Sequence, residues 1–518
     1  MKKTLLLASL LISLSSLSQS DQNITGSTPR ETEPYIAVNP ANPSNLIAAW
    51  MSLTFPFKIV TKASFDGGVT WGNVNYLPHF SSSFTITSAD VSIAFNSAGT
   101  AFISYVDYKI TLDSGFVRVA RSSNGGVSWD PPVNAIDALS QPDLPVDRPW
   151  IVCDQSSSPY SGRLYLLSKS YWGAAPPHKI WLSISSDSGA TFSPIVRLDN
   201  PIAIGSLTNI MVTPTVGADG TFYGAYMSWD TSQSPFVRMI CTRSTDGGST
   251  FTQSTIGFPV SGSAITDTLY QGSYSLSANP ADPNNLVFQV TDARNGDPDI
   301  LALNSNNAGL SWYAVPIRVN DDSLGNGIGQ DMSWGAFAPN GVYAVAWRDR
   351  RNGLPNDTSD FEIYTAVSLD GGATFKPNFC LSSAQSPYIN ITRGNDFLGL
   401  CLSGNYLFAA WSDLRNGNPN REDIYVRKVS INTLASADDS GISGNGISVF
   451  PNPNPGEFTL NLDRSSTVAI CDLYGRQLLL TGLDKGNTLL KTDLAGGTYV
   501  LRVWNETGIF TRKIIVFK

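Results

Sequence analysis

Any chemistry in this chain would depend on carboxylates, tyrosines and arginines. The 518 residues include only two histidines, His79 and His178. A Ser-His-Asp triad and a histidine-rich zinc centre are therefore both disfavoured. The five cysteines form no pair with metal-ligand spacing, and their odd number leaves at least one unpaired within the chain.

Acidic residues and arginines recur together at fixed spacing in the second half of the chain. The pattern Asp-x-Arg-Asn-Gly begins at Asp292, Asp349 and Asp413, and each copy is followed by a further acidic residue and an isoleucine. A guanidinium matches a carboxylate in charge and geometry, so the simplest interpretation is that each Asp–Arg pair braces a loop. Comparable charged residues precede other predicted strands, at Asp147-Arg148-Pro149 and at Asp331.

A second repeat identifies the elements that must position these residues. A phrase of the form Ser-x-Asp/Asn-x-Gly-x-Ser/Thr-aromatic occurs six times, at intervals of 58 to 63 residues. Its Asp or Asn can accept backbone hydrogen bonds and close a tight turn, and its glycine can adopt a left-handed conformation. We therefore expect each phrase to staple a hairpin. The copies begin at Ser64, Ser122, Ser185, Ser244, Ser305 and Ser368.

Alternating apolar hairpins recur with the same period but number seven, one more than the phrases. The unmatched hairpin is the last, which is followed by a strand-like segment, Ile424–Val429, without a phrase. A period of about 60 residues that is rich in glycine and aromatics is typical of radial β-repeats. The sequence predicts an all-β propeller, seven-bladed with six blades as the alternative. The hairpins begin at Tyr35, Val91, Trp150, Met211, Tyr274, Trp334 and Phe397.

The phrase resembles the Asp-box of the bacterial neuraminidase repeat, found in sialidases and other secreted propellers. The resemblance implies a glycoside hydrolase that holds a substrate carboxylate with three arginines. It also implies a tyrosine nucleophile activated by a glutamate, with an aspartate as acid/base. It makes Asp147 and Asp331 the candidate catalytic acids. The family's Arg-Ile-Pro motif is absent, Pro29-Arg30-Glu31 being the nearest equivalent. The candidate substrate-binding arginines are Arg148, Arg294, Arg351 and Arg415.

Both ends of the chain indicate export. Met1-Lys2-Lys3, a short apolar stretch and the small residues Ser18 and Ser20 are typical of a removable signal peptide. Near the other end, Pro451-Asn-Pro453, Asp472-Leu-Tyr-Gly-Arg476 and Gly497-Thr-Tyr-Val-Leu-Arg-Val503 resemble, in order, the type A sorting domain of the type IX secretion system. The alternative is a carbohydrate-binding or immunoglobulin-like β-sandwich. The resemblance implies passage through the periplasm of a Gram-negative bacterium and delivery to the medium or the outer cell surface.

Net charge and hydropathy limit the classes of partner that we expect for this chain. The net charge of −8 disfavours nucleic acid, and no long apolar run follows the N-terminus, so we expect no transmembrane segment. We expect a glycan or glycoprotein partner and the type IX machinery, with no cofactor. Structural Ca²⁺ at the acidic loops 297–299 and 320–322 is the one metal considered, against plain solvated turns. The predicted domains are a signal peptide at 1–20, a β-propeller at 21–430, a linker at 431–446 and a sorting β-sandwich at 447–518.

Two functions remain open on the sequence. The first is a sialidase-like exo-glycosidase that releases sialic acid. The second is a non-catalytic propeller that binds glycans or proteins at the cell surface. Three arginines converging beside a Tyr–Glu contact would favour the enzyme, whereas a rim of Asp–Arg braces would favour the binder.

Overall fold

The computed structural model separates into two compact units, residues 1–437 and 438–518. The predicted signal peptide and most of the predicted linker lie outside the described residues. The structure describes residues 21–26, 30–137, 147–170, 179–199, 212–228, 238–257, 274–353, 359–389, 398–418, 421–435, 448–450, 452, 454–462, 464–471, 477–505 and 508–517.

The first unit contains seven antiparallel four-stranded sheets, each made of strands consecutive in the chain except the last. These sheets are the blades, numbered here in chain order. Blade 1 contains β2 (Glu31–Asn39), β3 (Asn42–Ser52), β4 (Lys58–Ser64) and β5 (Asn75–Tyr76). Blade 2 contains β6 (Ile86–Phe95), β7 (Ala101–Lys109), β8 (Gly115–Ser122) and β9 (Val133–Asp137). Blade 3 contains β10 (Asp147–Cys153), β11 (Leu164–Lys169), β12 (Ile180–Ser185) and β13 (Val196–Arg197).

The remaining blades repeat this plan. Blade 4 contains β14 (Val212–Val216), β15 (Phe222–Ser228), β16 (Arg238–Ser244) and β17 (Thr252–Gly257). Blade 5 contains β18 (Tyr274–Ala278), β19 (Leu286–Asp292), β20 (Asp299–Ser305) and β21 (Ile317–Arg318). Blade 6 contains β22 (Gln330–Phe337), β23 (Tyr343–Asp349), β24 (Glu362–Ser368) and β25 (Phe379–Cys380). Blade 7 contains β26 (Gly399–Ser403), β27 (Tyr406–Asp413), β28 (Asp423–Ser430) and, from the N-terminal end, β1 (Gln22–Asn23).

Blade 7 explains why seven hairpins accompany only six Asp-boxes. Its outer strand is β1, which pairs antiparallel with β28 through Gln22–Val426 and Asn23–Tyr425. No strand needs to follow β28, so no turn is needed there. The ring is instead closed by joining the two ends of the propeller chain. This confirms seven blades and excludes the six-bladed alternative.

The Asp-box turns pack each blade against its neighbour. In blade 3, Thr191 and Ser185 donate hydrogen bonds to Asp187 and lower its pKa to about 2, which holds the turn closed. In blade 2, Gly126 has φ of 89°, and a Cβ there would lie 2.7 Å from Ile47 of blade 1. Glycine is required for conformation and for close approach. These contacts confirm the structural role predicted for the phrase.

A short helix, α1 (Ile431–Ala435), follows β28. Ile431 and Leu434 are buried in the hydrophobic cluster shared by blades 6 and 7. The propeller therefore includes residues that the sequence assigned to the linker. An amphipathic turn of five residues is too short to stand out from a polar linker in sequence.

The second unit is a two-sheet β-sandwich. One sheet has the order β29 (Ser448–Phe450), β30 (Glu457–Leu462), β33 (Gly486–Lys491). The other has the order β32 (Gln477–Leu483), β31 (Ser466–Cys471), β34 (Gly497–Asn505), β35 (Gly508–Val516). Phe458, Leu460, Ile470 and Leu501 belong to its separate hydrophobic core.

Chain direction gives the propeller two distinct ends. The first strand of each blade begins at one end of the propeller, which also carries the loops between second and third strands. We call this end the bulge face, because several first strands contain a β-bulge near it. The Asp-box turns, between third and fourth strands, lie at the opposite end, the box face. This is the arrangement expected from the sequence.

Candidate functional site

The first strands of four blades carry the same irregularity near the bulge face. The pairing register between first and second strands shifts at Thr32/Tyr35, Ala89/Ser92, Asp147/Trp150 and Asp331/Trp334. Each bulge contains one non-glycine residue in the left-handed region. Such backbone is strained, and bulges of this kind commonly aim side chains at functional sites. The residues and their φ values are Glu33 at 53°, Asp90 at 51°, Arg148 at 53° and Met332 at 52°.

Three aromatic rings meet next to these bulges on the propeller axis. The ring centroids of Tyr35 and Trp150, and of Trp150 and Trp334, are 5.7 Å apart, and those of Tyr35 and Trp334 are 6.2 Å apart. On the box-face side, the first strands line a cavity of 820 Å³ that extends to Pro40 and Pro339. The aromatic cluster therefore separates this cavity from the polar residues of the bulge face.

Asp147 and Asp90 form a carboxyl pair between blades 2 and 3. Lys169 Nζ donates to Asp147 Oδ2 at 2.6 Å, and the Arg148 backbone N–H donates to Asp90 Oδ2 at 3.4 Å. Burial raises the pKa of Asp147, but Lys169, Arg148 and a hydrogen bond from Asp90 outweigh it, so the net pKa is lowered. Two hydrogen-bonded carboxyl groups need one proton between them. Lys169 and Arg148 therefore favour the ionised form of Asp147.

Asp331, the other predicted acid, lies in an arginine clamp. Arg348 donates to its two carboxylate oxygens at 2.7 and 2.5 Å, and Arg350 donates at 3.0 Å. Burial raises the pKa of Asp331, but the two guanidiniums outweigh burial and hold it below its usual range. Its surroundings therefore favour an ionised carboxylate, which is the wrong protonation state for a general acid.

The three rim arginines each bind the aspartate of their own blade. In all three repeats the arginine backbone N–H donates to the aspartate Oδ1 at 2.8 Å. The guanidiniums of Arg294, Arg351 and Arg415 then contact Asp292, Asp349 and Asp413 at 2.9, 2.8 and 2.6 Å. These contacts are the loop braces considered in the sequence. Arg148 is the one predicted arginine at an axial bulge.

The rim also contains a tyrosine beside a glutamate, but the tyrosine is not activated. Arg351 lies over the Tyr364 ring at 4.1 Å, and Asn352 bridges Glu362 and the Tyr364 hydroxyl at 2.5 and 3.5 Å. Burial, with smaller effects of Cys380 and Glu362, raises the pKa of Tyr364. A raised pKa disfavours the phenolate that a nucleophile requires.

A histidine, an aspartate and a serine meet in blade 2, but they do not form a catalytic triad. Both Asp107 Oδ1 and Ser88 Oγ approach the same ring nitrogen, His79 Nδ1, at 2.8 and 3.1 Å. A triad needs the serine on the other nitrogen. The Phe80 backbone N–H also donates to Asp107 Oδ2 at 2.5 Å, so the cluster anchors the chain that enters blade 2. The second histidine, His178, lies outside the described residues.

Sequence reasoning missed several residues of the bulge face. Glu33, Asp90 and Lys169 belong to no repeated phrase. One signal was present: Glu33-Pro34-Tyr35 and Arg148-Pro149-Trp150 share a charged–proline–aromatic pattern at the same blade position. Arg30, nearest to the missing Arg-Ile-Pro motif, pairs with Glu422 at 3.1 Å.

The two acidic loops considered for Ca²⁺ come together, and Arg318 and Asn320 bind one carboxylate from each. Arg318 donates to Asp299 at 2.7 Å and to Asp322 at 2.9 Å, and Asn320 donates to both carboxylates at 2.7 Å. Within the described ranges, no group of three or more His, Cys, Asp or Glu side chains is placed to hold a metal ion. All five cysteines are free thiols.

Comparison with protein families identifies the C-terminal unit. Residues 448–517 match the family described as "Secretion system C-terminal sorting domain". The chain therefore carries the sorting signal for type IX secretion, which delivers proteins to the cell surface or the medium. Among the helices that the structure describes, none is long and apolar enough to cross a bilayer.

Comparison with whole proteins is less informative. No curated protein sequence matches the chain. Among solved structures, the Hadza microbial sialidase Hz136 is 13% identical with a TM-score of 0.42, covering 78% of this chain and 66% of that one. The α-L-arabinanase of Penicillium chrysogenum is 14% identical with a TM-score of 0.42, covering 80% and 99%. The NanB sialidase of Streptococcus pneumoniae is 11% identical with a TM-score of 0.42, covering 81% and 71%. At these values the likeness carries no argument about activity.

Proposed function

We propose that the protein is an exported, glycan-active propeller whose site is the axial end of the bulge face, and that it hydrolyses sialosides. The observation that carries this proposal is the Asp90–Asp147 carboxyl pair. It lies on two strained bulges, beside the positive charges of Arg148 and Lys169. A buried carboxylate beside a second carboxyl group and two cations is an arrangement that acid–base catalysis uses.

In this proposal the two carboxyl groups have different tasks. Asp90 holds the proton and donates it to the glycosidic oxygen as the bond to the leaving sugar breaks. Water then forms the new bond to the anomeric carbon and returns a proton to Asp90, which regenerates the acid. Asp147, kept ionised by Lys169, positions Asp90 throughout. Arg148 supplies positive charge for the carboxylate of an acidic sugar.

A non-catalytic glycan binder is the second candidate, and a specific observation favours it. Arg294, Arg351 and Arg415 all neutralise aspartates of their own blades, so the rim presents braces where a sialidase would present a clamp. Tyr364 is also poorly suited to act as a nucleophile. This candidate retains the axial site without the acid–base step.

Hydrolysis of a fluorogenic sialoside by the full exported chain separates the two candidates. We expect turnover that falls by roughly 10²- to 10⁴-fold in Asp90→Asn and Asp147→Asn. The control is Arg121→Gln, which removes an exposed ion pair of blade 2. Binding of the sialoside without turnover would select the binder. Equal turnover in all four proteins would reject this site.

A further inference from the structure

Three phenylalanines, two exposed and one half-buried, cluster on the bulge face between blades 1 and 2. Phe84 is 68% exposed and Phe55 is 40% exposed, and their ring centroids lie 4.9 Å apart at an interplanar angle of 75°. Phe57 lies 6.1 Å from Phe55. We call Phe55, Phe57 and Phe84 the aromatic platform. Exposed aromatic clusters of this kind mark interaction sites more often than chance placement.

Backbone hydrogen bonds hold the platform in place although two of its rings are exposed. The Phe57 backbone N–H donates to Thr87 Oγ1 at 3.0 Å, and the Ser88 N–H donates to the Phe57 carbonyl at 3.0 Å. The residues flanking Phe84 are fixed too, since the Ser83 and Thr85 carbonyls accept hydrogen bonds at 3.1 and 3.0 Å. A ligand would therefore meet preformed ring faces and cause little ordering of the protein.

The platform is continuous with the axial site through β6. Thr87 and Ser88, which hold Phe57, precede Asp90 by three and two residues on that strand. At the rise of a β-strand, this places the contact roughly 7 to 10 Å from the Asp90 backbone. A glycan with one sugar at Asp90 could thus extend further sugars toward the platform.

We infer that the aromatic platform is a second glycan subsite, which stacks on the apolar face of a pyranose ring beyond the cleaved sugar. This inference rests on the proposed function for the sugar bound at the axis. An aromatic face suits such a ring because it offers a flat apolar surface. The exposed Ser83 hydroxyl and the half-buried Thr85 hydroxyl, hydrogen-bonded to each other at 2.9 Å, are the polar groups beside Phe84 that sugar hydroxyls would meet.

Kinetics with a long and a short substrate test the inference. The full chain, Phe84→Ala and the double variant Phe55→Ala/Phe84→Ala would be assayed on 3′-sialyllactose and on a fluorogenic sialoside with no second sugar. We expect the KM for 3′-sialyllactose to rise roughly tenfold in the double variant, with the short substrate unaffected. The matched control is Phe65→Ala, which removes a 51% exposed phenylalanine from the box face.

The outcomes separate the two proposals, because binding of 3′-sialyllactose and of lactose would be measured in the same proteins. Weaker binding in the double variant supports the platform even if nothing is cleaved, in which case only the hydrolase proposal fails. Unchanged KM and binding in the double variant overturn the platform while leaving hydrolysis intact. If the unmodified chain neither binds nor cleaves either sugar, both proposals are overturned. An equal loss on both substrates also overturns the platform, because it indicates general damage.

Discussion

The carboxyl pair formed by Asp90 and Asp147 leads to a prediction about the pH dependence of hydrolysis. Replacing Asp147 by asparagine removes the anion beside Asp90 and leaves Lys169 without its 2.6 Å partner. We expect Asp147→Asn to remain folded and its pH optimum for sialoside hydrolysis to shift, because the positive charges of Lys169 and Arg148 beside the site are then uncompensated. The pH–rate profile measures this. An unshifted profile with full activity would show that Asp147 takes no part.

Glu31 makes a second prediction at the residue scale, about stability against pH. Burial raises its pKa from 4.5 to about 8, while Trp50 and Ser52 lower it and Asp423 adds to the rise. Because the pKa of Glu31 is raised on folding, the folded state binds the proton more tightly than the unfolded state does. The resulting stabilisation is fully present below the unfolded pKa and is lost as pH rises to the folded pKa. The free energy of unfolding should therefore fall between pH 4.5 and 8, by up to about 1.4 kcal/mol per pH unit.

Glu31→Gln tests this assignment, since the amide cannot ionise. Denaturant unfolding from pH 4.5 to 8.5 should show a flatter pH dependence in the variant than in the unmodified chain. Glu457→Gln, which alters an exposed ion pair of the C-terminal unit, is the control and should leave the slope unchanged. The same slope in all three proteins would mean that Glu31 is ionised when folded.

The residue scale is also where sequence reasoning was least complete. Arg294, Arg351 and Arg415 were visible because their pattern repeats, and the same repetition indicated the bracing role that their contacts now show. Asp90 was not visible, because its importance depends on a bulge that brings it against the next blade. A single aspartate in an alternating strand carries no sign of that contact.

At the element scale, the Asp-box turns control the packing between blades. Gly126→Ala should lower the free energy of unfolding by about 1–3 kcal/mol, because its Cβ would clash with Ile47 at 2.7 Å and its φ is 89°. Gly162→Ala separates the two causes: its φ is 82°, but nothing lies within 4 Å of the added Cβ. Denaturant unfolding of both variants measures the difference. Equal losses would attribute the effect to backbone strain alone.

The closing strand β1 gives a second prediction at this scale. Deletion of residues 21–26 removes the β1–β28 pairing, the 2.7 Å Asp21–Arg415 ion pair and the 3.1 Å Thr25–Asp423 hydrogen bond. We expect a loss of about 3 kcal/mol in the free energy of unfolding and faster proteolysis at β28. A synthetic peptide of residues 21–30 should restore protection. Unchanged protection after deletion would show that blade 7 is stable with three strands.

The number and order of elements were predictable from the sequence because each blade repeats its own short-range signals. Turn chemistry marked the third-to-fourth connections, and alternation marked the hairpins. The pairing of β1 with β28 was not predictable. A two-residue strand has no periodicity, and its partner lies about 400 residues away.

For the whole molecule, the C-terminal unit carries the sorting signal, and the propeller carries the proposed glycan site. Truncation after residue 437 should leave the propeller folded, because the described residues of the two units have separate hydrophobic cores. It should abolish delivery to the cell surface and the medium, because residues 448–517 form the sorting domain. Fractionation of producing cells measures this. Normal export of the truncated chain would show that another segment carries the signal.

The ring closure has a consequence for how the protein is made. Thr25 and Asp423, which meet in blade 7, are 398 residues apart in the chain. Until the last blade has emerged, the earlier blades form only an open arc whose first blade lacks its neighbour. Because such distant pairings form late, the nascent arc exposes apolar blade surfaces for most of its synthesis. The unfinished chain must therefore be kept from self-association until blade 7 closes the ring.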